Sequence, residues 1–160
     1  MDFYFKEIAS PIGKLKLIAN DLVLVAILME TEAPDRIKLN LRKEDSQHPL
    51  LIKAEKQLKE YFDREREAFD LSLEPIGTSF QKEVWDALKT IPYGKTLSYS
   101  QIAEKIKRPK AIRAVGTAIG KNPLSIVVPC HRVIGANGQL RGFAGGLDIK
   151  AKLLNLEKPV

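Results

Sequence analysis

The sequence contains very little cysteine and histidine: one cysteine and two histidines occur in 160 residues. A single cysteine cannot form an internal disulfide, and no cluster of Cys and His has the spacing of zinc ligands. We therefore expect a protein of a reducing compartment that holds no metal and needs no cofactor.

Long apolar segments are also missing. The longest run, Leu22 to Met29, is far shorter than the ~20 residues that cross a bilayer. Near the N-terminus, Asp2, Lys6 and Glu7 interrupt the apolar core that a signal peptide would need. The sequence therefore predicts a soluble protein of the cytoplasm with no membrane partner.

Acidic residues are scarce in the second half of the chain. Residues 1–75 carry 12 Lys and Arg against 15 Asp and Glu, a net charge of −3, whereas residues 76–160 carry 14 against 5, a net charge of +9. The basic half either meets a polyanion such as nucleic acid or presents a solvated lysine surface. The charge alone favours neither alternative.

The first half has the pattern of a small sheet with one helix. Apolar runs between turn residues predict three strands in an antiparallel meander, at 3–5, 14–18 and 22–28. Apolar residues three and four apart predict a helix over 49–64, and residues 69–73 alternate like one more strand. His48 has no partner motif and is expected at the entry to the helix. We therefore predict a structural α/β domain over residues 1–75.

Two capping boxes mark helix starts in the second half. Thr78 begins a helix that stops before Pro92 and has Trp85 on its buried face, and Ser98 begins a short helix to about Ile106. A third helix, from Lys110 to about Lys121, completes a helix-turn-helix pattern. Residues 76–160 are therefore predicted as a mostly helical domain.

The third helix is rich in Ala and Gly and contains one arginine, Arg113. Small side chains allow close approach, either to another helix or to a nucleic-acid groove with Arg113 inserted. Packing on a helix is the stronger alternative for the helix in isolation. The flanking cations favour the groove, because they would contact phosphates without sequence preference; they are Lys107, Arg108, Lys110 and Lys121.

The only cysteine lies in Pro129-Cys130-His131-Arg132-Val133, after the apolar run 126–128, which we predict as a buried strand that ends in a bend. A thiol at the mouth of a strand is a candidate nucleophile, with His131 as its base. Neighbours in an extended segment point to opposite sides, so His131 is expected to act through a water or across a turn. The alternative is a cysteine that serves as a small buried hydrophobe.

The C-terminal segment supplies two further elements of a site. The glycine-rich loop at 141–146 would bring backbone N–H groups close to a ligand. Asp148 is expected to cap a last helix that buries Leu153, Leu154 and Leu156. Glu157, near its end, could then fold back on His131 and hold it, as the carboxylate of a catalytic triad does.

These residues together resemble the O6-alkylguanine-DNA alkyltransferase family. The resemblance lies in Pro129 to Val133, in Arg113-Ala114-Val115-Gly116 and Gly120-Lys121-Asn122-Pro123, and in Gly145-Gly146 to Glu157. It covers about residues 78–157, and the cysteine motif combined with a helix-turn-helix is specific. It implies an α/β (α+β) fold, with an N-terminal antiparallel, RNase H-like sheet and helix and a C-terminal domain for DNA binding and alkyl transfer.

The resemblance also implies a reaction. The protein would flip O6-alkylguanine out of duplex DNA and transfer the alkyl group irreversibly to its own cysteine, in a single turnover. Cys130 would accept the alkyl group, His131 would deprotonate it through a water, and Glu157 would orient His131. Tyr99 would donate a hydrogen bond to the leaving guanine.

The same resemblance implies the binding residues. Arg113 would take the place of the flipped nucleotide, with its helix in the minor groove. The implied DNA-binding residues are Arg113, Ala114, Lys110, Arg108 and Thr117, and those of the substrate pocket are Asn122, Val133, Phe143 and Ala144. The partner would be double-stranded DNA containing O6-alkylguanine, bound by a monomer without metal or cofactor, in association with the nucleoid if the cell is prokaryotic.

The chain departs from common family members at Phe143 and Ala144, where tyrosine and often serine occur. Main-chain contacts would survive this change, but hydroxyl contacts would not. Zinc ligands of some members are missing, and Cys130 disfavours relatives that bind lesions without repair. Two other functions stay open. One is a DNA-binding regulator with Cys130 as a sensor, which the Ala- and Gly-rich helix disfavours; the other is a cysteine hydrolase, which turnover would reveal.

Overall fold

The first half of the chain forms a four-stranded sheet. In the computed structural model, which describes residues 2–159, the strands are β1 (Phe3–Ile8), β2 (Leu15–Ala19), β3 (Leu24–Met29) and β4 (Leu41–Glu44). Their order in the sheet is β3-β2-β1-β4. Lys6 of β1 lies opposite Leu17 of β2, which lies opposite Ile27 of β3, in antiparallel register. The predicted meander is therefore confirmed.

The edges of the sheet differ from the prediction. The sequence analysis did not predict β4, which pairs parallel with β1. Its sequence, LRKE, lacks the alternation of apolar and polar residues that marks a half-buried strand. The strand predicted at 69–73 is wrong, because only Leu73 bridges β3, at Leu24. The N–H and carbonyl of Asp70 bond to the Gln57 side chain at 2.9 and 3.0 Å and are not available for a ladder.

The helix α1 (Pro49–Phe62) packs against the sheet. Nδ1 of His48 accepts a hydrogen bond from the Leu50 N–H at 3.2 Å, which confirms the helix-entry position of His48. The apolar stripe predicted for this helix is largely buried; its fully buried members are Leu51, Ala54, Leu58 and Tyr61. Amphipathic spacing therefore predicted both the helix and its inner face.

Three helices form the centre of the second half: α2 (Ser79–Leu88), α3 (Tyr99–Lys105) and α4 (Ile112–Gly120). Thr78 and Ser98 form the predicted capping boxes, in which each hydroxyl accepts from the N–H of the Gln three residues later at 3.1 Å. α3 and α4 pack together across a turn and confirm the helix-turn-helix. Trp85 is buried, and its indole N–H donates to the Ala118 carbonyl at 2.8 Å, which ties α2 to α4.

Two short strands and a last helix complete the chain. β5 (Leu97–Ser98) pairs parallel with β6 (Val133–Ile134) and holds the start of α3 beside the cysteine segment. In α5 (Leu147–Leu156) the cap position is occupied by Gly146, with a φ of 96°, so the predicted cap at Asp148 is wrong. Asp148 lies in the first turn, where its negative charge interacts favourably with the positive end of the helix dipole.

Apolar packing is continuous between the halves of the chain. Leu17 and Leu58 from the first half share one core with Trp85 and Val133 from the second. The predicted ranges 1–75 and 76–160 also include Met1 and Val160, which lie outside the described residues. Within 2–159, no helix is both long enough and apolar enough to cross a membrane.

Candidate active site

The segment before the cysteine is a tight turn, so the strand predicted at 126–128 is wrong. The Val127 N–H donates to the Ser125 carbonyl at 3.0 Å, and the Val128 N–H donates to the Leu124 carbonyl at 2.9 Å. Ile126 takes a positive φ of 77°. Ile126 and Val128 are nevertheless buried. The short apolar run therefore indicated burial, but it did not determine the backbone conformation.

Cys130 begins a single 3-10 turn, Cys130–Arg132. Its N–H donates to the Val128 carbonyl at 2.8 Å across Pro129, whose φ of −81° and ψ of 65° form an inverse γ-turn. With three residues per turn, neighbouring side chains point about 120° apart. The expectation that Cys130 and His131 point to opposite sides is therefore wrong, and all three side chains of the turn are buried.

The carboxylate of Glu157 lies at the centre of the site. Glu157 follows α5 and is 2% exposed. Its Oε2 lies 2.6 Å from Nε2 of His131 and accepts from the Tyr61 hydroxyl at 2.6 Å. Arg132 donates to both carboxylate oxygens, at 2.7 and 3.0 Å, and the Gly94 N–H donates at 3.3 Å.

These donors keep Glu157 ionised. Burial raises the pKa of the Glu157 carboxyl, but the hydrogen bonds from His131, Arg132 and Tyr61 outweigh burial and hold that pKa well below its usual range. Burial also raises the pKa of the Tyr61 hydroxyl, and the charge of Glu157 raises it further. Tyr61 therefore keeps its proton and donates a hydrogen bond to the carboxylate.

His131 is a neutral base with a defined tautomer. Burial lowers the pKa of His131 and outweighs the effect of its hydrogen bond to Glu157, so the ring is uncharged near neutral pH. Since the ionised Glu157 can only accept, Nε2 carries the ring hydrogen and Nδ1 carries a lone pair. Nδ1 is buried and has no hydrogen-bond partner among residues 2–159. The ring can therefore accept a proton at Nδ1.

The thiol of Cys130 requires such a base. Burial raises the pKa of Cys130, while the Asn122 side-chain hydrogen bond and the charges of Arg36 and Lys150 lower it by less. Asn122 is held in place because its amide donates to the Val128 carbonyl at 2.9 Å and its Oδ1 accepts from the Leu124 N–H at 3.0 Å. The resting sulfur is therefore a protonated thiol, and it could act as a nucleophile only after a base removes its proton.

Two cations from other parts of the chain, Lys150 and Arg36, act on the Cys130 thiol. Lys150, fully buried on α5, donates to the Arg141 carbonyl at 2.8 Å, and burial lowers its pKa to about 8. Arg36, in the loop after β3, donates to the Gly120 and Asn122 carbonyls at 3.1 and 3.0 Å. Both positive charges favour the thiolate form of Cys130.

A cavity of about 690 Å³ lies between α4 and the glycine-rich loop. Three predicted residues line it, Tyr99, Phe143 and Ala144, whereas Cys130, Asn122 and Val133 are not in its lining. Burial raises the pKa of the Tyr99 phenol, and a thiolate at Cys130 would raise it further. Within residues 2–159, no group of three or more His, Cys, Asp and Glu side chains could hold a metal ion.

A second groove, of about 660 Å³, lies on the other side of α4. Four predicted DNA-binding residues line it together with Phe80 of α2, and all four are exposed; they are Lys110, Arg113, Ala114 and Thr117. The Arg108 guanidinium lies 5.7 Å from the centre of the Phe80 ring and 3.5 Å from the Glu83 carboxylate. α4 therefore separates a basic groove from the cavity beside Tyr99.

Arg132, Lys150 and Tyr61 are among the residues of the site that sequence reasoning missed. Arg132 was detectable, because it is a charged residue in an apolar motif directly after His131. Lys150 was also detectable, because it lies three residues before Leu153 on the inner face of a helix. Tyr61 had no such pattern, because it belongs to the apolar stripe of α1 and its partner Glu157 lies 96 residues later.

Two family models match the chain. Residues 3–75 match the ribonuclease-like domain of 6-O-methylguanine DNA methyltransferase, and residues 79–159 match the DNA binding domain of 6-O-methylguanine DNA methyltransferase. The ribonuclease-like match agrees with the fold predicted for the first half.

Two relatives that match nearly the whole chain are named methylated-DNA–protein-cysteine methyltransferase. A methylated-DNA–protein-cysteine methyltransferase of Methanosarcina acetivorans is 46% identical over 159 residues, which span 96% of this chain and 97% of the relative. One of Mycobacterium tuberculosis is 46% identical over 157 residues, 97% of this chain and 92% of the relative. The crystal structure of Mycobacterium tuberculosis OGT in complex with DNA superposes with a TM-score of 0.89 at 44% identity, over 99% of this chain and 93% of that chain.

We expect Glu157→Gln to lower the free energy of unfolding by about 3–5 kcal/mol at neutral pH, because Arg132 would stay buried without its anion. The folded carboxyl has a lowered pKa, so its contribution is present above the ordinary pKa of 4.5 and is lost as the pH falls through the folded value. The difference in the free energy of unfolding between wild type and variant should therefore shrink as the pH falls below 4.5. Urea unfolding followed by Trp85 fluorescence measures this difference at neutral and at acidic pH.

The matched control for Glu157 is Glu60→Gln. Glu60 pairs with Arg66 at 3.1 Å in a partly exposed position, so its loss should change the free energy of unfolding by less than about 1 kcal/mol. Equal effects of the two substitutions, or a gap that does not change with pH, would contradict the central role of Glu157.

We expect the stability difference between Lys150→Met and wild type to depend on alkaline pH. The pKa of Lys150 is about 8 in the folded protein against an ordinary 10.5, so between these values the folded protein releases a proton that the unfolded chain keeps. Wild type should therefore gain stability relative to the variant as pH rises through this window. Urea unfolding at several pH values measures the difference.

The control for Lys150 is Lys152→Met, an exposed lysine on the same helix, whose difference from wild type should not change across that window. A second readout is the rate at which iodoacetamide alkylates Cys130, measured as a function of pH. The apparent pKa of the thiol should be higher in Lys150→Met because a nearby cation is removed. Parallel pH curves for the two lysine variants would be evidence against a buried, proton-releasing Lys150.

Proposed function

The chain belongs to the 6-O-methylguanine DNA methyltransferase family, whose members repair DNA by moving an alkyl group from O6-alkylguanine to a cysteine, and we propose that Cys130 is the acceptor in this chain. Cys130 is the only cysteine available. The observation that carries the assignment is its position directly before His131, which is bonded to the buried Glu157 carboxylate at 2.6 Å.

Proton removal from the thiol is the first step. His131 would take the proton at Nδ1 through a bridging water, because that nitrogen carries a lone pair and has no other partner within residues 2–159. Glu157 would orient the ring and stabilise the imidazolium as it forms. Arg132 and Tyr61 act as positioning residues, since their hydrogen bonds hold the carboxylate in place.

Attack of the thiolate on the alkyl carbon is the second step. The carbon–oxygen bond breaks with its electron pair on guanine, so negative charge develops on the base. Tyr99 would donate a hydrogen bond to this base, and the raised pKa of its phenol means that it holds a proton at neutral pH. Phe143 and Ala144 have no side-chain hydroxyl, so this part of the pocket would contribute main-chain groups only.

The second half, residues 76–160, would bind duplex DNA that contains O6-alkylguanine. Arg113 would occupy the space of the flipped nucleotide, with Ala114 and Thr117 beside it on the exposed side of α4. Lys110 and Arg108 would contact phosphates. Extrusion is required because the O6 atom of a stacked base cannot reach a buried sulfur.

The first half, residues 1–75, would hold the site residues in position. Tyr61 donates a hydrogen bond to Glu157, and Arg36 donates one to the carbonyl of Asn122. We propose that the protein acts as a monomer, since the nucleophile, the base and the groove all lie on one chain. Its place of action would be the cytoplasm, on the nucleoid if the cell is prokaryotic.

With an excess of O6-methylguanine duplex, methyl transfer should stop at one methyl per protein, because the thioether that forms has no hydrolytic route in this site. Intact mass and peptide mapping should place the methyl on Cys130. Cys130→Ser should bind the DNA and transfer nothing detectable, since a hydroxyl is much harder to ionise than a thiol.

His131→Ala should slow transfer by about 10²–10⁴-fold without abolishing DNA binding. The matched control is His48→Ala, which changes the only other histidine; it removes a helix cap and should lower only stability, by about 1 kcal/mol. Turnover beyond one equivalent would favour the hydrolase alternative, and DNA binding without any transfer by wild type would favour the regulator.

Arg113→Ala should slow the repair of O6-methylguanine in duplex DNA more than transfer from the free base, because only the duplex requires extrusion. Single-turnover rates on the two substrates measure this ratio. Lys110→Ala is the control: it should weaken binding to any duplex and reduce the log–log salt slope by about 0.9, the value for one phosphate contact. Equal losses on both substrates would exclude Arg113 from the flipping step.

A further inference from the structure

The glycine-rich loop forms one wall of the cavity and is held at its backbone carbonyls. Phe143 and Ala144 of this loop line the cavity. The Arg141 carbonyl accepts a hydrogen bond from Lys150 at 2.8 Å. The Phe143 carbonyl accepts one from the Gly146 N–H at 2.9 Å, which closes a turn around Ala144. A segment with three glycines loses much conformational freedom when it is ordered, so each of these hydrogen bonds restricts it.

A third hydrogen bond to this loop comes from the first half of the chain. The hydroxyl of Thr31, in the loop after β3, donates to the Gly145 carbonyl at 2.6 Å, although the two residues lie 114 positions apart. Met29, the last residue of β3, packs on the same glycine, since a Cβ placed on Gly145 would lie 2.7 Å from its sulfur. Gly145 directly follows Ala144. The first half therefore holds the loop at the residue next to the cavity lining.

The same segment of the first half also holds the opposite wall of the cavity. Arg36 donates at 3.1 Å to the carbonyl of Gly120, which lines the cavity from α4. The buried carboxylate of Glu32 fixes the segment internally, because one oxygen accepts from Arg36 at 2.7 Å and the other from the Met29 N–H at 2.8 Å. Thr31 lies between Met29 and Glu32. One short segment, from Met29 to Arg36, therefore connects both walls of the cavity.

The hydrogen bond of Thr31 has two alternative roles. It either stabilises the contact between the halves of the chain, or it also positions the loop for the reaction. Phe143 and Ala144 have no side-chain hydroxyl, so the loop would present backbone groups to the base, and the direction of those groups depends on the backbone alone. Within residues 2–159 the Ala144 N–H donates to no protein group, so it is available to a ligand. Both observations favour positioning.

We propose that Thr31 is a positioning residue for alkyl transfer: its hydrogen bond to Gly145 holds the Ala144 N–H in the direction in which it meets the base. The inference rests on the proposed function and gives the first half a part in the chemistry. A donor that is already oriented stabilises developing charge without reorganisation, whereas a donor in a loose loop must first be ordered. Thr31 is not among the residues that line the cavity, so it acts through the loop and not on the substrate.

The experiment compares Thr31→Val, which removes the hydroxyl and keeps the shape of the side chain, with Thr31→Ser, which keeps the hydroxyl. Thr31 is exposed, so both variants should fold. Single-turnover methyl transfer is measured with saturating O6-methylguanine duplex and with the free base. Thr31→Val should slow transfer about three- to tenfold on both substrates, the effect of one hydrogen bond, and Thr31→Ser should recover the rate. The amount transferred should stay at one methyl per protein.

Two further measurements separate positioning from a purely structural role. The affinity for an undamaged duplex should be the same in wild type and Thr31→Val, because Thr31 is expected to contact the loop and not the DNA. The matched control is Thr90→Val, which removes an exposed hydroxyl that donates to the Ala87 carbonyl, also at 2.6 Å, just after α2. This control should leave the transfer rate unchanged.

Amide hydrogen exchange tests the positioning in the free protein, without any reaction. The reporter is the Gly146 N–H, which bonds to the Phe143 carbonyl inside the loop. It should exchange about three- to tenfold faster in Thr31→Val than in wild type, and Thr31→Ser should restore its rate. The Val128 N–H, which bonds to the Leu124 carbonyl at 2.9 Å, should exchange at the same rate in all variants, which verifies that they are equally folded.

An unchanged transfer rate in Thr31→Val would overturn the proposal, and so would an equal loss of rate in Thr31→Ser or in Thr90→Val. Weaker duplex binding with an unchanged saturating rate would assign Thr31 to the DNA interface and overturn the proposal as well. Failure of wild type to transfer methyl would instead overturn the proposed function. The exchange rates, which need no transfer, make that outcome distinguishable.

Discussion

The buried carboxylate of Glu157 is the interaction on which the rest of the structure depends. A buried, ionised group is stable only when its lone pairs are satisfied, and here the donors come from separate parts of the chain. Tyr61 comes from α1, His131 and Arg132 from the 3-10 turn, and Gly94 from the loop after α2. The cost of leaving this charge unpaired therefore fixes the mutual position of four segments, and with it the position of the cysteine.

The electrostatics of the thiol suit a sulfur that is used once. Burial raises the pKa of Cys130, so the resting group is a thiol and resists oxidation, which requires thiolate character and exposure. Lys150 and Arg36 oppose that effect without reversing it. In the proposed mechanism, a neutral His131 held by Glu157 would then remove the proton when a substrate is bound. A permanently ionised thiolate would react sooner but would be lost to side reactions.

The sequence predicted those features that are set by local interactions. Capping boxes at Thr78 and Ser98, the apolar stripe of α1 and the helix-turn-helix follow from contacts within a few residues. The strand at 126–128 was wrong because a short apolar run indicates burial in any conformation. The motif pointed to Cys130, His131 and Glu157 as candidates. Tyr61 could not be found, because its role exists only after α1 and the end of α5 meet.

The small residues of α4 reconcile the two alternatives that the sequence left open. The Ala118 carbonyl of α4 accepts a hydrogen bond from the Trp85 indole of α2, so one side of α4 packs on another helix, which is the first of the two alternatives. Gly116 faces Tyr99 on another side, where an added Cβ would lie 3.7 Å from the ring, and Gly120 has nothing within 4 Å. Neither glycine has a positive φ, so backbone conformation does not explain them. The space they leave does, because both glycines line the cavity beside Tyr99, and a larger side chain at either position would occupy it.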